Sequence, residues 1–109
     1  MPTDAAMIMT TVKDKNEAAE MAAFLIQQRV AACVQEIAIN SHYNWEGRTN
    51  NDPEVLLLVK TAQDRVDDAI AAIKLKHTYQ VPEILVAPII QGLGAYLEWV
   101  RAETRPGAK

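Results

Sequence analysis

The chain has 109 residues, half of them hydrophobic and 23% charged, with a formal net charge of -3. That length makes one domain, 1–109, which buries roughly 60 to 65% of its unfolded surface and folds without metals or disulfides, while the acidic balance argues against nucleic acid and anionic membranes as partners. The single cysteine, Cys33, excludes an internal disulfide, no basic segment precedes the first apolar stretch, and no apolar run nears the roughly 20 residues that cross a bilayer, so the reducing cytoplasm is the expected compartment.

The run from Ala5 to Val12 is too short and too apolar for an amphipathic helix and reads as a strand buried on both faces. Asp14, followed three residues later by Glu17, has the spacing that satisfies orphan amides at a helix start. Ala18, Met21, Ala22 and Leu25, widened by Phe24 and Ile26, give that helix a sheet-packing face as far as Arg29 or Val30. From Cys33 the period becomes two: Cys33, Ile37, Ile39, Ser41, Tyr43 and Trp45 fall on one face, Glu36, Asn40, His42 and Asn44 on the other. Such a strand is about twice the usual length, so its far end is expected to project from the sheet.

Glu46-Gly47-Arg48 supplies a reversal, Asn50-Asn51-Asp52-Pro53 reads as loop, and Val55 to Val59 reads as a central strand. A second helix opens at Thr61-Ala62-Gln63-Asp64 and carries Val66, Ile70, Ile73 and His77 on one face. Pro82 ends it, and Glu83 to Ala87, closed by Pro88, reads as an edge strand. Gly92-Leu93-Gly94 breaks the chain before a short helix with Leu93, Leu97 and Val100 on one side, and Arg105 to Lys109 reads as a frayed tail.

The order strand, helix, strand, strand, helix, strand, with one trailing helix, is an α+β, ferredoxin-like split βαβ arrangement with both helices on one face of an antiparallel sheet. The other face has no cover within the chain, although strands one and three are apolar on both sides. Copies of the same chain are expected to bury it.

Several residues invite chemistry. Cys33 is a small core hydrophobe or, as a thiolate, one soft ligand for copper(I). His77 is a helix C-cap or, beside Tyr79 and Glu83, a metal donor or acid-base group. Lys60 and Glu83 read as a charge pair at one end of the sheet. Five of the six aromatics, Tyr43, Trp45, Tyr79, Tyr96 and Trp99, sit around loops and the last helix, where they suit interface anchoring better than base stacking. Leu97 stands where a dinucleotide fingerprint needs its third glycine, and no phosphate loop, zinc helix or nucleophile elbow is present.

Four blocks in this order, Ala31-Ala32-Cys33-Val34, Tyr43-Asn44-Trp45-Glu46-Gly47, Glu54 to Thr61 and His77-Thr78-Tyr79-Gln80-Val81-Pro82-Glu83, resemble the CutA family, a likeness running from about Met7 to Val100. The resemblance implies a cytoplasmic homotrimer of ferredoxin-like fold, similar in architecture to PII signal proteins and associated with tolerance of divalent cations, copper above all. It implies no enzyme. A ligand cleft between subunits, at Trp45, Lys60, Tyr79 and Glu83, is the expected site for a small effector. His77 and Cys33 are the expected donors for copper or another divalent cation, which folding does not require. Thr78 stands where the family usually has proline, which predicts a less rigid loop, and Lys76 and Thr10 stand where some members carry a second histidine and a thiol. The rival readings are a PII-like signalling module and a small hydrolase.

Overall fold

The computed structural model describes residues 3–107. The elements are β1 (Ala5–Val12), α1 (Lys15–Gln27), β2 (Cys33–Trp45), β3 (Arg48–Ala62), a 3-10 turn (Gln63–Arg65), α2 (Val66–Lys76), β4 (Ile84–Pro88) and α3 (Gly94–Glu103). One antiparallel sheet holds all four strands in the order β2-β3-β1-β4. Inserting β3 between β1 and β2 is the split βαβ topology, and β4 lies at the edge as Pro88 requires.

Asp14 caps α1 by accepting from the Glu17 amide at 2.8 Å, while Glu17 Oε1 accepts in return from the Lys13 amide at 3.3 Å. Two orphan donors at the helix start are thus satisfied reciprocally. Arg29, at φ 57, turns the chain out of the helix in the left-handed region, and Val30 and Ala31 then bury before β2 begins. Ile8, Val12, Leu57 and Val59 from the sheet meet Met21, Leu25, Ala69 and Ile73 from the helices in one aliphatic core. Ile26 is 42% exposed and Leu93 74%, so neither belongs to the face the sequence pattern assigned it. Leu93 has extended backbone at the α3 N-cap, outside the helical repeat that would have turned it inward.

Asn50 to Pro53 belong to β3, not to a loop. Asn50 pairs with Tyr43, Asp52 with Ser41 and Pro53 with Asn40. The reversal is two residues, Glu46 at φ 52 and Gly47 at φ 75, both left-handed as a type I′ turn demands. Polar side chains are tolerated there because β1 reaches only as far as Val55, leaving the outer half of β3 paired on one side. The hairpin therefore stands clear of the domain, which measures 44 Å along its longest axis.

The ladder defines the two sheet faces. Ala6, Ile8, Thr10 and Val12, with Val55, Leu57, Val59 and Thr61, lie under the helices and are buried. Met7, Met9, Leu56 and Leu58 lie on the open face and stay half-buried, flanked by Ile37 at 43% exposure and Leu85 at 56%. Beyond α3, Thr104 is buried and Arg105 grips Asp64 with two guanidinium nitrogens at 2.7 and 2.9 Å. Arg105 is thus pinned instead of frayed; Ala108 and Lys109 of the expected tail lie outside the described residues.

Candidate functional site

A cavity of about 500 Å³ opens where the base of the projecting hairpin meets the loop between α2 and β4. Its walls come from three places. β2 contributes Ser41, Tyr43 and Trp45, which alternate onto the open face, together with His42; Thr11 comes from the end of β1 and Glu54 from β3 just beyond its pairing with β1; Tyr79, Gln80, Val81 and Glu83 come from the loop.

The loop is held by its own side chains. The Tyr79 amide donates to His77 Nδ1 at 3.1 Å, so Nδ1 is the unprotonated nitrogen and Nε2, 2.8 Å from the Thr11 carbonyl oxygen, is the donor. His77 thus ties the end of α2 to the end of β1. Thr78 donates its amide at 3.2 Å and its hydroxyl at 2.8 Å to Glu17 Oε2, so this loop is anchored without a proline. The Tyr79 ring lies 4.9 Å from the His77 ring, and its hydroxyl donates to Glu54 Oε2 at 2.6 Å.

Burial, and after it the Glu54 hydrogen bond and charge, push the Tyr79 phenol well above its ordinary range. The Tyr43 phenol is raised as well, first by its hydrogen bond to Asp52 at 2.8 Å. Both phenols are protonated donors at neutral pH. The cleft is therefore an aromatic-walled, acidic pocket whose hydroxyl protons are already committed to carboxylates.

Three of the four expected cleft residues, Trp45, Tyr79 and Glu83, line this cavity; Lys60 does not. Lys60 pairs with Met7 in the ladder, four positions from Thr11, about 13 Å along the strand. It lines a separate depression of about 220 Å³ with Tyr96 and Leu97, and its ammonium donates to Gln35. The expected Lys60–Glu83 charge pair is not formed, because the antiparallel register sends the two residues to opposite ends of the sheet.

Cys33 sits beside Lys60 in the ladder, half-buried on the open face. Burial and then the sulfur hold the Tyr96 phenol above its ordinary value. His77 and Cys33 thus lie at different ends of the chain's sheet, and both His77 nitrogens already have partners. Among the described residues no group of three or more His, Cys, Asp or Glu side chains could hold a metal ion. Among the described residues, the side chains of this chain do not supply a donor set for a bound divalent cation.

Glu54, Tyr43, Ser41 and Thr11 were not legible as site residues from sequence. The signal was the alternation of β2 continued through its partner: once Asn50 to Pro53 are strand, Glu54 must share a face with Ile39 and, four rungs on, with Tyr43.

The family model described as "CutA1 divalent ion tolerance protein" matches residues 6–103. The chain belongs to the CutA1 family. A divalent-cation tolerance protein CutA of Thermus thermophilus is 37% identical over 90% of this chain and 96% of its own. A chloroplastic CutA of Arabidopsis thaliana is 35% identical over 91% of this chain, which spans 55% of that relative's length, about half. The crystal structure of a CutA from Xylella fastidiosa superposes with a TM-score of 0.92 at 33% identity, covering 94% of this chain and all of that one. The CutA1 fold is thus the α+β fold read from the sequence, and the family's name describes tolerance of a cation, not a reaction. Among the described residues no helix is long and apolar enough to cross a membrane.

Proposed function

We propose that this CutA1-family chain acts in the cytoplasm as a homotrimeric divalent-cation tolerance protein without catalytic activity. Its ligand, copper or another divalent cation or else a small effector, occupies clefts at the seams between subunits. One observation carries the reading: the open apolar sheet face of Met7, Met9, Leu56, Leu58, Ile37 and Leu85 runs directly into the Tyr79 cleft. A surface of that composition on a lone subunit would cost hydration free energy at each exposed methyl and thioether, and burying it between copies recovers about 25 cal/mol per Å². Three sheets facing one another, with the projecting hairpins lying across neighbours, bring each cleft to a seam.

A metal site in this assembly takes donors from more than one subunit, with His77 and Cys33 each supplying at most one. Effector binding needs no such rearrangement, since the cleft is formed within the chain. Light scattering coupled to gel filtration is expected to give three times the 12.1 kDa chain mass, and Leu58→Asp is expected to give the single chain. A wild-type monomer at micromolar concentration would overturn the assembly. Calorimetric titration with copper and with zinc tests the cation, and absence of saturable heat would leave the effector reading.

A further inference from the structure

We infer that the cleft beside Tyr79 takes an organic cation, an aliphatic amine with one or more ammonium groups, in preference to an anion or a bare metal ion. The inference rests on the cleft reading above and names its ligand class.

Charge comes first. Glu54 and Glu83 line the cavity, and of this chain's basic side chains only His42 joins them; Arg48, the ladder partner of Trp45, stays outside it. A nucleotide or other polyanion would meet two carboxylates with no lysine or arginine of the same chain to compensate them, an arrangement that repels it at close range. Glu83 is exposed and has no ion-pair partner among the described residues, and Glu54 commits only Oε2, to Tyr79, leaving Oε1 open to a new donor.

Coordination comes second. A hard divalent ion asks for about six oxygen ligands, and a softer one for three or four nitrogen or sulfur donors. No cluster of three such side chains exists among the described residues. An ammonium group asks for less: a carboxylate or two, a few neutral acceptors such as the Ser41 hydroxyl, and ring faces.

The walls come third. Tyr43, Trp45 and Tyr79 present three aromatic rings to the same space, which attract ammonium groups through the ring quadrupole and cover the methylenes that carry them. A volume near 500 Å³ falls in the range of pockets for small organic molecules and is far larger than one ion requires.

The test is a titration of the full-length ¹⁵N-labelled protein with spermidine, followed by separate titrations with Mg²⁺, Cu²⁺ and ATP. Spermidine is expected to shift the amides of Tyr79, Gln80, Val81 and Glu83 saturably. Glu83→Gln should weaken it by about tenfold or more, because a charge-assisted bond is lost. Trp45→Ala should weaken it by about threefold, the size of one cation–π contact. Circular dichroism verifies that both variants, changed at exposed positions, keep the fold. Equal competition by Mg²⁺, or indifference of spermidine binding to both variants, would overturn the inference. If Cu²⁺ or ATP moved these amides and spermidine did not, the cleft reading would stand and the ligand class would fall. If no probe moved them, both would fall.

Discussion

One oxygen of Glu17 accepts both the amide and the hydroxyl of Thr78, 61 residues further along the chain. Glu17 is 8% exposed, and its other oxygen already serves the Lys13 amide. The carboxylate thus joins the start of α1 to the loop that carries Tyr79, and the loop's position is inherited from the helix cap. Thr78→Pro deletes both donors, so it should destabilise the fold by about 1 to 3 kcal/mol, the range for stranding a buried acceptor. Denaturant unfolding measures it. The same change in a Glu17→Ala background should cost clearly less, because the acceptor is gone; equal costs in both backgrounds would show that the bond does not couple the two elements.

The alkaline limb of stability follows from the phenols. Tyr79 ionises in the unfolded chain near the ordinary phenol value of 10.0 and well above that when folded, since burial and Glu54 both oppose the phenolate. Above that value the unfolded chain has released the proton and the folded one has not, so ∂ΔG/∂pH is negative. The contribution is intact below pH 10.0 and is lost as pH climbs toward the folded value. Unfolding midpoints should therefore drop between pH about 9 and about 11, and Tyr79→Phe should flatten the slope while Tyr43 and Tyr96, also raised, retain part of it. An unchanged slope would contradict the assignment.

Thr10 is fully buried beneath the helices, and its hydroxyl has no partner in the structure. Replacing that hydroxyl by a methyl removes a desolvation cost and no hydrogen bond. Thr10→Val is expected to raise stability by about 1 kcal/mol in thermal or denaturant unfolding. A loss of stability would mean that the hydroxyl has a partner in solution.

The hairpin turn offers a surface test. Glu46 holds φ 52 with a side chain poorly suited to left-handed backbone. Glu46→Asn places the preferred pair Asn-Gly at a type I′ turn and should raise the melting temperature by an amount equivalent to about 0.5 kcal/mol. Gly47→Ala, at φ 75, should lower it by about 1 kcal/mol.

Most of the fold was legible because its signals are local. The β1 limits, the Asp14–Glu17 cap and the edge position of β4 follow from short apolar runs, from capping spacing and from proline's missing amide, none of which needs a distant partner. The misreading of the hairpin has one cause. Asn50 to Pro53 have turn-forming side chains, yet a thirteen-rung ladder with β2 holds them extended, and pairing energy across strands overrode local preference. That same error hid Glu54 and Tyr43 from the site.

The amino-acid order by itself determined the element sequence, the split βαβ topology and the apolar sheet face left open by the two helices, whereas the grouping of Trp45, Tyr79 and Glu83 in one cleft came only from the resemblance to CutA proteins. Only the tertiary structure decided that Lys60 and Cys33 lie apart from that cleft and that both His77 nitrogens are spent on the backbone. Periodicity tells which face a side chain takes, because geometry along a strand repeats every two residues. Which end of the sheet it reaches depends on register between strands, and register is set by contacts among residues far apart in the chain.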